Sequence, residues 1–428
     1  MKTNLWISSM KTISWAFIII IMGWKCTSTS GKTVPTPVSI KEDSLDYYPP
    51  TPSKLSQQQF RYYYRELARY FDSTLLRRGF NGGILIAKDG NVIYENYSGF
   101  ADLRSKAPMT DSTMMHIASS GKTFTGMAIL RLAQENQLSL NDPLEKYFPE
   151  FPYEGITIQM LLTHRSGLPN YVYFIPNSDW DKKQYATNAD VLNILYTDKP
   201  TRLFKPGTRF TYSNTNYVLL AMIIEKVSGL AFPEFMRTKF FEPLGMKHTY
   251  VFTLKDSLTA TQSFEANGRL WQYDCLEGTY GDKNLYTTPQ DLLKWDQAFY
   301  TEQLINKTMQ DSAFTPYSLE RPSVHNYGLG WRLLMIPNGK KVIYHNGRWH
   351  GFNAAFARLT DEKVTIIILG NRYNSRIYTT ARDAYDIFGD YRQSRDGDDE
   401  EGNEPVVHKK RYKKHISKKT TKHRKKKR

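Results

Sequence analysis

A serine and a lysine lie three positions apart in the run Ser119-Ser120-Gly121-Lys122. Residues at positions i and i+3 share one face of a helix, so the Ser119 hydroxyl and the Lys122 amine can meet there. A serine hydroxyl needs a neighbouring base before it can attack, and a lysine can serve where its surroundings favour the neutral amine. The same spacing recurs at Ser8 and Lys11, so the pattern alone is a weak signal for a nucleophilic serine.

Two further motifs follow Ser119 in order along the chain, Tyr212-Ser213-Asn214 and His345-Asn346-Gly347. Tyr212 is a second proton carrier, Asn214 offers an amide to a substrate peptide bond, and His345 adds a hydrogen-bond donor. Each motif alone has an ordinary explanation, as a helix cap, a turn or a surface histidine. The ordered set of three motifs favours an active site for acyl transfer.

The backbone near Ser119 and Gly347 could stabilise the negative charge of an acyl-transfer intermediate. Ser119 would lie at a helix N-terminus, where free N–H groups and the helix dipole favour anions. Gly347 would let the backbone approach closely, so that the N–H of Arg348 completes an oxyanion hole with the N–H of Ser119. We therefore take Asn214, Gly347 and Arg348 as candidate substrate-binding residues.

Nucleotide and metal chemistry are both disfavoured. The run Gly121-Lys122-Thr123 resembles the end of a phosphate-binding loop, but that loop needs a glycine where this chain has His116. The chain has two cysteines, Cys26 and Cys275, and no cysteine–histidine group has metal-site spacing. We expect no metal, no cofactor and no disulfide bond in the mature protein.

The composition predicts a globular protein with a charged end. Of the 428 residues, 40% are hydrophobic and 14% aromatic, which is enough to build a substantial core. The formal charge of +16 is concentrated in residues 409–428, which hold thirteen lysines and arginines and no acidic residue. The rest of the chain is therefore close to neutral, so we expect no specific nucleic-acid binding.

Four segments are predicted: a leader (1–31), a spacer rich in Pro, Ser and Thr (32–56), a catalytic domain (57–392) and a tail (393–428). The apolar run Ile13–Trp24 is shorter than the roughly 20 residues that span a membrane, and it suits a signal peptide. We expect an exported protein of the periplasm or cell envelope. An uncleaved N-terminal anchor and lipidation at Cys26 remain alternatives.

The tail has an acidic part at 396–404 and a basic part at 408–428, and both are too charged to fold. The basic part could bind an anionic surface, or it could remain solvated with no fixed partner. We expect the protein to act as a monomer on a small-molecule or peptide substrate.

Strand patterns lie at both ends of the domain, with a helical block between them. A turn is predicted at Asp89-Gly90, and further turn signals include Asn346-Gly347. The predicted strands are 83–88, 91–94, Tyr327–Leu334, Lys341–His345, Phe352–Leu359 and Val364–Leu369. The predicted helices are Gln57–Arg78, Thr123–Glu135, Thr215–Val227, Pro289–Tyr300 and one near Ile377–Ile387.

This order of elements predicts a mixed α/β fold. Short turns between the C-terminal strands imply antiparallel neighbours, and the absence of regular strand–helix alternation excludes a doubly wound sheet. We therefore expect one antiparallel sheet, assembled from both ends of the domain and flanked by helices, with an inserted helical subdomain.

The motifs and the runs around them resemble the serine β-lactamase and penicillin-binding protein superfamily, in its branch of class C β-lactamases, DD-peptidases and related esterases. The similarity covers roughly residues 60–390. It is carried by the runs 117–125, 161–168, 204–214, 285–292 and 327–331.

The resemblance implies a β-lactamase/transpeptidase-like fold and a role for each motif. Ser119 would be the acylated nucleophile, Lys122 and Tyr212 the proton-transfer pair, and Asn214 a substrate contact. His345 and Gly347 match the first and last positions of the third family motif, whose middle position differs here.

A histidine at the first position of the third motif is more like the DD-peptidases and esterases than the efficient β-lactamases. The resemblance therefore implies a serine hydrolase of carboxypeptidase or esterase type with weak or no β-lactamase activity. The alternative is a catalytically inactive member that binds peptidoglycan or a protein partner.

Overall fold

The computed structural model describes residues 52–392. The predicted leader, residues 32–51 of the predicted spacer and the predicted tail lie outside the described residues. The strands are β1 Gly82–Lys88, β2 Asn91–Ser98, β3 Phe100–Asp102, β4 Ala107–Pro108, β5 Met115–His116, β6 Tyr250–Val251, β7 Leu285–Thr287, β8 His325–Tyr327, β9 Arg332–Met335, β10 Lys341–Trp349, β11 Phe352–Leu359 and β12 Val364–Gly370.

The main sheet has seven strands in the order β2-β1-β12-β11-β10-β9-β8, and every neighbouring pair is antiparallel. β1, from the start of the domain, pairs along its length with β12, so that Gly82 faces Gly370 and Lys88 faces Val364. The sheet is therefore assembled from both ends of the domain, which confirms the predicted arrangement. Two small sheets, β5-β7-β6 and β3-β4, complete the strand set of the described residues.

Helices fill the span between the two groups of main-sheet strands and also flank the sheet. They are α1 Gln57–Thr74, α2 Lys122–Gln134, α3 Ile158–Leu162, α4 Tyr171–Asn177, α5 Asn188–Thr197, α6 Asn214–Ser228, α7 Phe232–Met236, α8 Pro289–Gln297, α9 Lys307–Ala313 and α10 Arg376–Asp383. The mixed α/β fold class predicted from the sequence is thereby confirmed.

The two faces of the main sheet bury separate hydrophobic clusters. On one face, α2, α6 and α8 cover residues such as Leu85, Phe356 and Ile367. On the other face, α1 and α10 cover Ile84 and Ile366. Because side chains alternate along a strand, each central strand contributes to both clusters, which explains its nearly continuous apolar sequence.

Strong capping and turn signals in the sequence coincide with the boundaries of several elements. Ser56 and Gln59 form a reciprocal capping box at the start of α1, and Gly229 ends α6 with a positive φ of 70°. The predicted turn at Asp89-Gly90 joins β1 to β2, and both of its residues have positive φ. The predicted helix Gln57–Arg78 is shorter in the structure, where α1 ends at Thr74 and a 3₁₀ turn follows.

One strand prediction and one turn prediction were wrong. The predicted strand Tyr327–Leu334 is divided into β8 and β9 by a glycine turn, in which Gly330 has a φ of +91° and a Cβ at Gly328 would lie 2.1 Å from the Ala313 carbonyl oxygen. The predicted turn at Asn346-Gly347 lies inside β10, paired with β11. Gly347 is a strand residue at which another segment of backbone approaches closely. The Asn-Gly dipeptide alone does not distinguish such a strand position from a turn.

No helix among residues 52–392 combines the length and apolar character needed to cross a membrane.

The helical side of the core depends on stacking between α2 and α8. The rings of Phe124 and Trp295 are stacked with centroids 3.9 Å apart, and both side chains are fully buried. We predict that Phe124→Ala lowers the free energy of unfolding by about 3–5 kcal/mol, because it removes buried apolar area and leaves a cavity. Urea denaturation measures this change. Phe60→Ala, at a side chain that is 39% exposed, should change it by less than about 0.5 kcal/mol.

Candidate active site

Ser119 lies in a 3₁₀ turn, Ala118–Gly121, that leads directly into α2. Ala118 has a φ of 49°, an uncommon conformation for a residue with a side chain, and its N–H donates to Nδ1 of His116 at 3.0 Å. The hydroxyl of Ser120 donates to the backbone oxygen of His345 at 2.8 Å. The turn that carries Ser119 is therefore held against β10.

Lys122 is fully buried, and its ammonium nitrogen faces three oxygens. Nζ donates to Ser119 Oγ at 3.0 Å, to Asn214 Oδ1 at 2.7 Å and to the backbone oxygen of Asp282 at 2.8 Å. Three donors matched to three acceptors hold the nitrogen in one position. The structure thus places the predicted nucleophile and its predicted base within hydrogen-bond distance.

The second motif brings Tyr212 and Asn214 to the same place. Asn214 is the first residue of α6, and its N–H donates to Asn170 Oδ1 at 3.2 Å. The side-chain oxygen of Asn214 accepts a hydrogen bond from Lys122. Its side-chain nitrogen Nδ2 makes no hydrogen bond within the described residues. The Tyr212 ring lies 4.9 Å from Lys122 Nζ. The structure therefore brings both predicted residues to the Ser119–Lys122 pair.

Gly347 lies, from the side of β10, against the turn Ala118–Gly121 that carries Ser119, here called the nucleophile turn after the predicted role of Ser119. A Cβ at this position would lie 2.0 Å from the Ile117 carbonyl oxygen and 3.1 Å from the Ser119 backbone nitrogen. Only glycine permits this approach. Arg348 follows on the strand, and its guanidinium stacks over the ring of Tyr373 at 4.9 Å. Because side chains alternate along a strand, this places the Arg348 side chain on the sheet face opposite to Gly347 and leaves its backbone near Ser119.

His345 is fully buried, and its ring hydrogen bonds lead away from Ser119. Its Nδ1 lies 2.7 Å from the backbone oxygen of Asn346, so Nδ1 carries the proton and Nε2 accepts from the Tyr327 hydroxyl at 3.0 Å. Burial, with Arg332 and Lys122 nearby, holds the pKa of His345 well below its usual range. The ring is thus neutral, and the backbone of His345 supports the nucleophile turn.

Two residues near Tyr212 were not identified as site residues from the sequence. The Arg332 guanidinium carbon lies 5.4 Å from the centroid of the Tyr212 ring. The His164 ring packs against the Tyr212 ring, with the two ring centroids 4.2 Å apart. His164 is fully buried, and this burial is the main reason that its pKa lies well below the usual range. His164 lies within the run 161–168 that carries the family resemblance, whereas Arg332 has no local signal.

A second buried lysine, Lys283, adjoins the backbone that holds Lys122. Its Nζ donates to the Tyr171 hydroxyl at 3.0 Å and to the Leu276 backbone oxygen at 2.8 Å. The Tyr171 hydroxyl in turn donates to Asp282 Oδ2 at 2.7 Å. This network fixes the segment whose Asp282 backbone oxygen accepts from Lys122. Nothing in the spacing of these residues indicated it.

Among the described residues, the group Asp274, Glu277 and His350 has atoms close enough together to suit a metal ion, all within 4.8 Å. The Glu277 carboxylate there already accepts hydrogen bonds from His350 Nε2 at 2.5 Å and from Trp349 Nε1 at 3.2 Å. These partners account for the buried carboxylate, so the group carries no metal assignment.

Because three histidines are buried, we expect the free energy of unfolding to fall in mild acid. The pKa of His116 is lowered to about 4, chiefly by burial, and those of His164 and His345 are lowered well below 6.5. Below pH 6.5 the unfolded chain binds protons at these positions that the folded chain does not, so protonation favours unfolding. We predict a loss of about 2 kcal/mol per histidine between pH 7.5 and pH 5.0, measured by urea denaturation.

The replacement His345→Asn provides the control for that prediction. Whatever its stability at pH 7.5, this variant should lose about 2 kcal/mol less than the wild-type protein over the same pH interval. An unchanged pH dependence in the variant would contradict the assignment of a neutral His345.

Comparison with known proteins places the chain in a family. The Beta-lactamase family model matches residues 67–387. The chain is 32% identical over 335 residues to penicillin-binding protein 4* of Bacillus subtilis (strain 168), covering 74% of each chain. It is 30% identical over 309 residues to protein flp of Staphylococcus aureus (strain MW2), covering 67% of this chain and 59% of flp.

Solved structures agree with the sequence comparisons. The octameric penicillin-binding protein homologue from Pyrococcus abyssi superposes with a TM-score of 0.63 at 28% identity, covering 72% of this chain and 73% of that one. D-amino acid amidase from Ochrobactrum anthropi SV3 shares the fold, with a TM-score of 0.61 at 23% identity over 76% of this chain and 97% of the amidase. The family match and the similarity to penicillin-binding protein 4* show that this chain belongs to the beta-lactamase family of serine hydrolases.

Proposed function

We propose that this protein is an exported serine hydrolase that cleaves an amide or ester through an acyl-enzyme on Ser119, in the manner of a DD-peptidase or esterase. The observation that carries the proposal is the environment of Lys122 Nζ, which lies 3.0 Å from Ser119 Oγ between two fixed acceptors. A buried amine beside a serine is the arrangement that nucleophilic catalysis without a histidine base requires.

The acceptors around Lys122 determine where its lone pair points when the amine is neutral. A neutral amine has two hydrogens and one lone pair. The Asn214 side-chain oxygen and the Asp282 backbone oxygen can only accept, so they take the two hydrogens. The lone pair then faces Ser119 Oγ, which can donate its proton. The two acceptors thus orient Lys122 as a general base.

The reaction then proceeds in two steps, acylation of Ser119 and hydrolysis of the acyl-enzyme. Ser119 Oγ bonds to the substrate carbonyl carbon as its proton passes to Lys122. The resulting oxyanion accepts from the N–H groups of Ser119 and Arg348, which the glycine at 347 allows to lie close together. Lys122 and Tyr212 return a proton to the leaving amine or alcohol, whose bond to the carbonyl carbon breaks. Water then attacks the acyl-enzyme ester, releasing the acid and restoring the Ser119 hydroxyl.

The state of His345 favours peptidase or esterase action over β-lactamase action. A lysine at that position would offer a permanent charge to a substrate carboxylate, whereas the neutral, buried His345 offers none. D-amino acid amidase, which shares the fold, is named for an amide substrate, and penicillin-binding protein 4* is named for binding a penicillin. A small D-amino-acid amide or peptide, or an ester, is therefore our proposed substrate class.

Export is part of the proposal and rests on the sequence. The short apolar run Ile13–Trp24 suits a signal peptide, and the similarity to penicillin-binding proteins is consistent with a place at the cell envelope.

Intact-mass spectrometry tests the acyl-enzyme. Residues 32–428 are incubated with a penicillin and, separately, with an activated short-chain ester. We predict a covalent adduct or turnover in the wild-type protein, because Lys122 activates Ser119. Both should be lost in Ser119→Ala and kept in Ser257→Ala, at a serine remote from the motifs. We further predict faster turnover of the ester than of the penicillin.

Two results would contradict the proposal. An adduct that persists in Ser119→Ala would place the nucleophile elsewhere. A folded wild-type protein that forms no adduct and turns over neither probe would instead favour the inactive member that binds peptidoglycan or a protein partner.

A further inference from the structure

His116 is a buried histidine three positions before Ser119, and the mechanism proposed above gives it no role. It is the last residue of β5, where it pairs with Tyr286 of β7. The N–H of Ile117 then donates to the Leu285 backbone oxygen at 2.9 Å. The imidazole ring therefore lies where the chain leaves a strand and enters the nucleophile turn.

Both chains leave this strand pair through a residue with a positive φ. The angle is 49° at Ala118 and 67° at Asn284, and extending the register of β5 and β7 by two residues places them opposite each other. The left-handed conformation is unfavourable for alanine, so it persists only where neighbouring contacts hold it. The contacts that hold Ala118 therefore determine the geometry of the turn that follows.

The ring of His116 contacts both of these residues. The Ala118 N–H donates to Nδ1 at 3.0 Å, so Nδ1 carries no proton. Burial lowers the pKa of His116 to about 4, which keeps the ring neutral at pH 7.5 with its proton on Nε2. Nε2 then donates to Asn284 Oδ1 at 3.0 Å. The Asn284 backbone nitrogen also lies 3.0 Å from Nε2, but only Oδ1 can accept from a protonated nitrogen.

Asn284 belongs to the segment that also holds Lys122. Its Nδ2 donates to two backbone oxygens at 2.6 and 2.7 Å, and these bonds orient the amide so that Oδ1 faces the ring. Asp282, two residues earlier, provides the backbone oxygen that accepts from Lys122 at 2.8 Å. The ring of His116 thus connects the turn that carries Ser119 to the segment that positions its proposed base.

The bond to His116 fixes the peptide unit that precedes Ala118. The other end of that unit, the Ile117 carbonyl oxygen, accepts from the Ser120 N–H at 3.1 Å. Because this unit is held at both ends, the φ of Ala118 sets the direction of the next N–H, which is that of Ser119. Without the acceptor on His116, the Ala118 N–H would lose its partner in a buried place, and the unfavourable φ would relax.

We propose that His116 is a positioning residue of the active site, whose Nδ1 holds the Ala118 N–H and thereby aims the Ser119 N–H at the oxyanion. The inference rests on the proposed acyl-enzyme function, and the ring acts through the backbone alone. An acceptor that bonds the N–H two residues further on reproduces an Asx turn, in which an asparagine oxygen takes the place of Nδ1.

This likeness supplies a matched pair of variants. His116→Asn keeps an acceptor for Ala118 and loses the donor to Asn284, because the asparagine side chain ends at the position of Nδ1. His116→Gln is one bond longer, so its amide nitrogen takes the position of Nε2 and no acceptor remains for Ala118. His116→Leu loses both contacts.

Single-turnover acylation of the full chain by 4-nitrophenyl acetate at pH 7.5, followed by intact mass over a range of ester concentrations, tests the proposal. We expect the rate at saturating ester to fall roughly 10²-fold in His116→Gln and His116→Leu, with ester affinity changed less than about twofold, because the oxyanion contact forms only in the transition state. His116→Asn should stay within about threefold of the wild-type rate. His248→Gln, at an exposed histidine, should leave the rate unchanged.

Stability measurements separate positioning from a purely structural role. His116→Asn leaves unfilled volume and an unpaired Asn284 oxygen, so urea denaturation should show it to be at least as destabilised as His116→Gln. Acylation should nevertheless be kept in the asparagine variant and lost in the glutamine variant. Ring ¹⁵N chemical shifts of the wild-type protein should show His116 with Nδ1 unprotonated at pH 7.5. Thermal melts establish that each variant is folded, and the Asn and Gln pair suffices if His116→Leu does not fold.

Each contrary result has a distinct meaning. Equal acylation rates in wild type, His116→Gln and His116→Leu would overturn the positioning role and leave the acyl-enzyme proposal intact. His116→Asn as slow as His116→Leu, or a ring protonated at Nδ1, would overturn it as well. A folded wild-type chain that is never acylated would overturn the proposed function, and the positioning role with it.

Discussion

The active centre depends on the buried nitrogen of Lys122. A fully buried lysine must satisfy its hydrogen-bond donors within the protein, and here three oxygens from three segments of the chain do so. Ser119 precedes α2, Asn214 begins α6, and Asp282 lies in the segment before β7. One side chain therefore connects parts of the chain that are far apart in sequence, and in the proposed mechanism its position decides whether the serine can react.

Close backbone packing between the nucleophile turn and β10 is the second constraint. The Ser120 hydroxyl bonds to the backbone of His345, and the glycine at 347 leaves room for the Ile117 carbonyl and the Ser119 nitrogen. The left-handed conformation at Ala118 aims the turn toward the strand. The main sheet thus supplies the strand against which the turn that carries Ser119 is positioned, and antiparallel pairing with β11 holds that strand in place.

Sequence patterns predicted the parts of this arrangement that are local. The Asp89-Gly90 turn and the helices that follow Ser119 and Asn214 follow from short-range spacing, and the sheet built from both ends follows from the order of strand and helix patterns along the chain. The division of the predicted strand Tyr327–Leu334 and the strand position of Asn346-Gly347 did not, because tertiary packing selects among the conformations a glycine allows. Arg332, Asp282 and the Lys283 network could not be found either, since only long-range folding brings them to the site.

The central claim is that Lys122 activates Ser119, and single-turnover acylation by an activated ester measures it most directly. Lys122→Met keeps a buried side chain of similar length and removes only the amine. The account predicts that Ser119 acylation, followed by intact mass, slows roughly 10²- to 10⁴-fold in this variant, while circular dichroism shows the native fold. Acylation of Ser119 at the wild-type rate in folded Lys122→Met would contradict it, because some other group would then take the serine proton.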